Sequence, residues 1–571
     1  MKHSILLLVL ALSSIHAFAA KYEAEDAILG GEANLANDDQ SASGGSYVQM
    51  KEGELSFTVN VPSEGMYDIL IHYKQDYDTQ KEQNLLVNGT NSGSINFPQT
   101  EDWKDVSVVA RLNKGDNTVK ITKSWGWVDV DYIEVNLHEN SSFNLDENLA
   151  NPNANGAAKE MFAFMQENFQ KKVISGVMTG AVLNGNDAVT LNNQEDVAHI
   201  RSNSGNKTPA LVGFDFMHGT GKEYNDDNGG WFQAYTDATI SLAKELYQRG
   251  GIPAFCWHWR DPLKNDIGFY SPTGGGDKTS FDLTTACTNS NCTAWDTNSD
   301  AYIAIVEDID KVAGYLKELQ DADVAVLWRP VHEASGGWFW WGYKGAAPFK
   351  LLYKLIFDRL TDHHHLNNLI WVWNSEGGDP DWYPGDEYVD IIGRDFYYSN
   401  NTQVNHASLI GEFEKLKNLF GTKKMIALSE NGSVPFPENL IEDGAGWSFF
   451  MPWYGTFVKQ ANTNSDWLHI MNHEYVLTLE DMPGWTGEPP SPIKVANAIP
   501  NAKFGVRSLN NGTLLVESNA NTAIYLYNTK GSLVQKVSVQ AGSSEVKISV
   551  PAGIYVVKNA KTGQTQRVLV R

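Results

Sequence analysis

Val324-Ala325-Val326-Leu327-Trp328-Arg329-Pro330-Val331-His332-Glu333 is an apolar run that breaks abruptly into Arg, His and Glu. So short a run without polar alternation is what a strand buried on both faces requires. Segments 172–177, 210–216, 252–258, 369–373, 389–397, 425–430 and 468–473 share the pattern. Between them, 238–248, 301–319, 349–360 and 409–420 space their apolar residues as amphipathic helices do. Strand–helix alternation predicts a parallel sheet, and eight strands in roughly 320 residues predict a (β/α)8 TIM barrel. A doubly wound open sheet is the competing arrangement, weakened because no Gly-rich phosphate loop follows the first strand.

Outside this block the pattern changes to short alternating strands, as in 55–61, 67–73 and 118–123, separated by Gly, Asn and Asp. The expected organisation is multidomain: a signal peptide at 1–19, a β-sandwich at 20–137, a polar linker at 138–157 and the barrel at 158–485. A Pro-rich linker at 486–500 then leads to a small all-β module at 501–571. Met1-Lys2-His3, the apolar run 5–12 and Ala17-Phe18-Ala19 form a secretory leader cleaved before Ala20, too short to span a membrane. No later segment has 18 uninterrupted apolar residues, so no transmembrane segment is expected and the mature chain is read as secreted, extracellular or at a bacterial cell surface. In an oxidising compartment Cys287 and Cys292 are expected to pair, with Cys256 a buried thiol. The net charge of −25 makes nucleic acid an unsuitable partner.

In a barrel the polar residues that close each strand gather at its C-terminal face. Glu333 closes the fourth strand and Glu430 the seventh. Two carboxyl groups across such a mouth suit glycoside hydrolysis, with one protonated to assist the leaving group and one ionised to attack; a separation of about 5–5.5 Å gives retention. The run Trp338-Phe339-Trp340-Trp341, the Trp257-His258-Trp259 and Trp371-Val372-Trp373-Asn374 strand ends, and Trp447 and Trp453 supply flat apolar rings of the kind that stack on sugars. His473-Glu474, placed at the end of the eighth strand, lacks a second His at helical spacing for zinc.

Residues 329–342 (RPVHEASGGWFWWG), with Trp257-His258 upstream and Ala427-Leu428-Ser429-Glu430 downstream, resemble glycoside hydrolase family 26 over roughly 158–485. The resemblance implies a retaining enzyme, predominantly an endo-β-1,4-mannanase, that needs no cofactor for catalysis. Glu333 would be the general acid/base and Glu430 the nucleophile. His332 would contact the sugar beside the scissile bond, Tyr397 would orient the nucleophile with Asp395 in the neighbouring substrate-binding position, and His258, Trp338 and Trp447 would line the flanking subsites. Arg329 is read as a buried ion pair supporting the two glutamates. Arg394 stands where family members often carry an aromatic, which bears on the distal subsites.

Tyr22-Glu23-Ala24-Glu25, Ala42-Ser43-Gly44-Gly45 and Val130-Asp131-Tyr132-Ile133-Glu134 resemble the family 35 and family 6 carbohydrate-binding modules, β-sandwiches that carry structural calcium. Glu23, Glu25 and Asp131 match their ligand-bearing motifs, and carboxylate oxygens suit a hard cation. Trp125 and Trp127 sit where such modules bind sugar. The tail, with Gly553-Ile554-Tyr555, is similar to C-terminal sorting domains of surface-secreting Gram-negative bacteria, whose partner is outer-surface secretion machinery. The expected function is thus a secreted endo-β-1,4-mannanase acting on mannan, glucomannan or galactomannan. The alternatives are a mixed-linkage β-glucanase or β-1,3-xylanase of the same family, or a non-catalytic glycan-binding protein.

Overall fold

A computed structural model describes residues 19–487, apart from 78, 139–140, 228–229, 399 and 401, and most of 504–570. All of the expected leader 1–19 except Ala19, and most of the Pro-rich linker, lie outside the described residues. The chain divides into two compact units, Met1–Pro489 and Pro490–Arg571.

The first unit opens with a sandwich of two antiparallel sheets. Strand Glu54–Val61 shows why these residues fold so. Leu55, Phe57, Val59 and Val61 all point inward, while the residues between them face outward or lie half-buried, which is the period-2 pattern of a half-buried strand. Gly65–Gln75 and Asp129–Leu137 supply the opposite inner face, and Tyr67, Ile69, Ile71, Val130 and Ile133 complete the core.

The barrel strands are β1 Val173–Met178, β2 Leu211–Asp215, β3 Ile252–Trp257, β4 Val326–Pro330, β5 Leu369–Ser375, β6 Ile391–Phe396, β7 Met425–Asn431 and β8 Phe449–Pro452. All are parallel to their neighbours in chain order, and β8 and β2 both pair with β1, so the sheet closes. Every residue of these strands is buried, as expected where helices cover the outside and side chains fill the inside. Helix Asp300–Gln320 typifies the outer ring. Ser299 caps it by accepting the Tyr302 amide, and Ile305, Ile309, Val312, Leu316 and Leu319 form its buried stripe.

The expected eighth strand at 468–473 is wrong. Asn464–Met471 is a helix begun by a Thr463/Asp466 capping box, and β8 is Phe449–Pro452 instead. Trp467, Ile470 and Met471 are its buried face, a spacing that a six-residue strand window hides. His473-Glu474 therefore follows a helix rather than closing a strand. The stretch 141–155 runs along the barrel, and its asparagines do more than meet solvent. Asn151 Nδ2 donates to the Leu366 carbonyl (3.2 Å), and Asn155 caps helix Gly156–Asn168 by accepting the Ala158 amide (2.9 Å).

Cys287 and Cys292 are disulfide-bonded and Cys256 is a buried thiol. Among the described residues no helix is long and apolar enough to cross a membrane. The second unit is a small all-β module of a three-stranded and a four-stranded sheet around Leu514, Val516, Ile524, Leu526 and Val557.

Candidate active site

The C-terminal ends of β4 to β7 bring the acidic residues together. After β4 the backbone turns through left-handed conformations at Val331 (φ 46°) and Glu333 (φ 52°), which β-branched and bulky residues rarely adopt. Such strain persists only where the surroundings impose it. Here the Asn374 side-chain carbonyl, at the end of β5, accepts the Glu333 amide at 2.7 Å. The result is that His332 enters the core beneath the cleft while Glu333 is only part-buried. Trp338 Nε1 donates to Glu333 Oε2 at 2.8 Å. The Trp338 ring lies on Gly336, where a Cβ would stand 2.1 Å from it, so no larger residue fits there.

Glu430 is placed by a register shift. Arg394 of β6 pairs with Leu428 of β7, but Asp395 pairs with Glu430, so Ser429 is an extra residue. A bulge of this kind re-aims a side chain. The Ser429 hydroxyl donates to Asp395 Oδ1 (2.6 Å), and Glu430 takes two donors: Arg329 to Oε1 and the Tyr397 hydroxyl to Oε2 at 2.8 Å. Arg329 Nη1 also donates to Asp395 Oδ2 at 2.8 Å, so it is the buried ion pair the sequence suggested.

The electrostatics differ between the two glutamates. Burial raises the Glu333 carboxyl well above the ordinary range, and Glu376, Glu430 and Asp395 push it further up. Burial and Asp395 also raise Glu430, to about 7, but Arg329 and Tyr397 oppose the rise. Arg329 and Tyr397 thus favour the Glu430 anion where no cation does the same for Glu333, so the proton is held first on Glu333, the split an acid–nucleophile pair needs. His332 is driven well below its usual value by burial and by Arg329, so it is neutral. His258 Nδ1 pairs with Asp215 Oδ2 at 2.6 Å, and the Asp215 side chain also accepts the His258 amide.

The sequence-derived residues fall into three groups. Glu333, Glu430, His258, His332, Trp338 and Tyr397 assemble at one site, with His258 and His332 edge-to-face at 4.6 Å. Asp395 belongs there too, but as a support rather than a sugar contact. Its side chain is fully buried and both oxygens are taken by Arg329 and Ser429. Trp447 is a correction. It precedes β8, at the base of the barrel, is 0% exposed, and donates Nε1 to the Ser408 carbonyl while packing edge-on against Phe413. Trp453, past the other end of β8, meets His258 edge-to-face at 5.8 Å and occupies the cleft position expected of Trp447. Replacing Trp447 with Ala should therefore cost about 3–5 kcal/mol of stability, read by denaturant unfolding, with KM of the folded fraction unchanged.

Of the aromatic run, only Trp338 is part-exposed. Phe339, Trp340 and Trp341 are core, with Trp340 Nε1 on the Trp259 carbonyl (2.6 Å) and Trp341 Nε1 on that of His332 (2.8 Å). Trp257, Trp259, Trp371 and Trp373 are core as well. Arg394 does not reach a distal subsite. It is buried against Glu412 and Glu376, on the side where the sandwich packs. Sequence reasoning missed Asn374, Glu376 and Asp379. Their only signal is that they follow the apolar run of β5.

In the sandwich, Glu23, Glu25 and Asp131 surround the turn at Ser43-Gly44. Ser43 donates its amide to Asp131 and its hydroxyl to Glu23 (3.1 Å). One oxygen each of Glu23 and Glu25 is buried without a partner. Burial raises Glu25, with Glu23 and Asp131 adding to the rise. Trp125 and Trp127 are exposed, with Trp127 held by Tyr77 and Glu52.

A closed eight-stranded barrel with two unlike carboxylates at the ends of β4 and β7, one held by Trp338 and the other by Arg329 and Tyr397, defines a glycosidase-type (β/α)8 scaffold. Residues 150–481 match the model of glycosyl hydrolase family 26, and residues 20–138 that of carbohydrate binding module family 35. Over 485 residues the chain is 35% identical to a mannan endo-1,4-beta-mannosidase of Thermothelomyces thermophilus, covering 82% of this chain and 91% of that protein. The GH26-CBM35 β-(1,4)-mannanase of Podospora anserina superposes with a TM-score of 0.53 at 32% identity, covering 82% of this chain and 99% of the other. A β-mannanase from a symbiotic protist of the termite Reticulitermes speratus, solved with a gluco-manno-oligosaccharide, gives 0.54 at 40% identity, covering 60% and 100%. The chain belongs to glycosyl hydrolase family 26.

Proposed function

We propose that the protein is an endo-β-1,4-mannanase that hydrolyses internal bonds of mannan, glucomannan or galactomannan with retention of configuration. The observation that carries this reading is the unlike pair at β4 and β7, Glu333 protonated beside Trp338 and Glu430 anionic beside Arg329 and Tyr397. The mannanase relatives supply the substrate. Glu333 donates its proton to the leaving oxygen as Glu430 attacks the anomeric carbon; the glutamate then accepts a proton from water, which releases the glycosyl group. His332, which burial keeps neutral, and His258, whose Nδ1 is held by Asp215, border the same site, where their rings can meet a sugar hydroxyl. The test is reducing-sugar release from galactomannan and from mixed-linkage β-glucan side by side, with the product anomer followed by NMR. Galactomannan is expected to be cut to a β-anomer; cleavage of β-glucan alone overturns the substrate, and silence on both favours a glycan-binding protein.

The N-terminal module keeps the barrel on the polysaccharide through Trp125 and Trp127, which raises local substrate concentration without new catalytic contacts. A structural calcium fits its turn. The buried unpartnered oxygens of Glu23 and Glu25, with Asp131 opposite, are hard donors, three carboxylates against one lysine, Lys21, which pairs with Glu23 at 2.9 Å. Chelation should lower the thermal midpoint of the full chain, and Glu25→Ala should remove that response, both read by scanning calorimetry. Export rests on the leader, and surface sorting on the tail; both are read by locating the chain, with and without 501–571, in the producing cell.

A further inference from the structure

The sandwich and the barrel meet through buried polar groups, which a mere tether does not need. Glu412, on barrel helix Ile410–Phe420, is 0% exposed at its side chain. Its Oε1 accepts the amide and hydroxyl of Ser94 from the sandwich (3.0 and 3.1 Å) and Lys415 Nζ at 2.9 Å. Its Oε2 accepts Arg394 Nε at 3.0 Å. Burying a carboxylate costs several kcal/mol unless such donors surround it; with them, Glu412 sits at about 2, Lys415 and Arg394 outweighing its burial.

Arg394 then reaches Glu376 with Nη1, at a longer 3.3 Å. Glu376 opens the loop after β5, and its second oxygen is buried without a partner. Oxygens of Glu376, Glu333 and Asp395 all lie within 4.8 Å of one another. The sandwich grips this same loop directly: Asn96 Nδ2 donates to the Gly377 carbonyl at 2.7 Å. At Gly378 a Cβ would stand 2.5 Å from Asn96 Nδ2 and 2.7 Å from Gln80 Nε2. Asp379 closes the loop by accepting the Glu376 amide (2.9 Å) and the hydroxyl of Ser335, two residues past Glu333.

We propose that the N-terminal module is a structural part of the catalytic site: through Ser94 and Asn96 it fixes the β5 loop so that Glu376, a positioning residue, stands beside the acid Glu333 and keeps it protonated. The inference rests on the glycosidase reading of Glu333. Burial raises Glu376 to about 8; Arg394 opposes this, while Asp395, Asp379 and Glu82 of the module add to it. The Arg394 charge is shared with Glu412, whose other cation is Lys415, and Glu333 also faces Glu430 with its Arg329. From about pH 8, where Glu376 ionises, its like charge this close holds the Glu333 proton on, so losing it lets Glu333 ionise at lower pH.

The experiment uses the full chain labelled with 13C at the glutamate carboxyls, with the Glu333 signal assigned from Glu333→Gln, alongside pH profiles on soluble mannopentaose. Glu376→Gln should move the Glu333 titration and the alkaline limb down by about one pH unit. Ser94→Ala/Asn96→Ala should move both in the same direction, with kcat on this soluble substrate falling and the thermal midpoint staying far above the assay temperature. Added to Glu376→Gln, the module pair should give no further shift, as residues acting on one group are non-additive. Module variants that alter only binding to insoluble mannan, or that lower kcat with the Glu333 titration unmoved, overturn the proposal. The titration needs no substrate, so a wrong substrate class would show as absent turnover with the shifts intact.

Discussion

Glu430→Ala will lower kcat on galactomannan by at least about 10⁴-fold, the scale of loss when a covalent nucleophile is removed. The fold should survive, because Arg329 keeps its 2.8 Å pair with Asp395 and is not left as a lone buried charge. Binding of mannan by the variant should remain near wild type, since the sugar-facing rings are untouched. Small anions sharpen the test. Azide can enter the vacated space and attack the anomeric carbon as the leaving group departs with the Glu333 proton, giving an α-glycosyl azide. Reducing-sugar assays, mannan binding and product NMR check these outcomes; a variant as active as the parent removes Glu430 from the mechanism. In the wild type the acid limb of kcat/KM should lie above the ordinary carboxylate range, because burial and Asp395 raise Glu430 and protonation below that pH removes the attacking anion.

The barrel was legible because parallel strands buried on both faces leave continuous apolar runs, as in β4, β5 and β7, and because their polar stops fall at the same end of the sheet. The eighth strand was not. β8 is four residues long, and Phe449-Phe450-Met451-Pro452 is too brief to stand out from the Trp-rich loop around it, while the helix after it mimics a short strand. Tryptophan was the least informative residue. The same ring suits a core and a sugar platform, and only tertiary placement separates Trp338 and Trp453 from Trp340, Trp341 and Trp447. The supports of the site were hidden for another reason. Asn374 acts through its hydrogen bond to a strained backbone amide, and Glu376 through an arginine whose other partner, Glu412, is bonded to Ser94 of the sandwich; neither leaves a local pattern.

Glu333→Gln will separate the two halves of the reaction. On mannan, whose leaving oxygen needs a proton, kcat should fall by about 10²–10⁴-fold, the usual worth of a positioned general acid. With an aryl mannoside whose phenolate leaves unaided, formation of the glycosyl-enzyme should stay fast while its hydrolysis slows for want of a base, so a burst of phenolate precedes slow turnover. Stopped-flow release of the phenolate reads this directly, and equal losses on both substrates would assign Glu333 to something other than proton transfer. The substitution also has a stability signature with a fixed sign. Burial, together with Glu376, Glu430 and Asp395, raises the folded-state value of Glu333 well above that of an unfolded glutamate, about 4.3. Below that pH both states hold the proton and nothing is lost. As pH rises, the unfolded chain releases its proton first, and stability falls until the folded carboxyl ionises too. Glutamine carries no such penalty. Glu333→Gln should therefore match the wild-type thermal midpoint near pH 4 and exceed it near pH 8, a gain at the acid's own position that shows the wild-type site holding its proton at the expense of the fold.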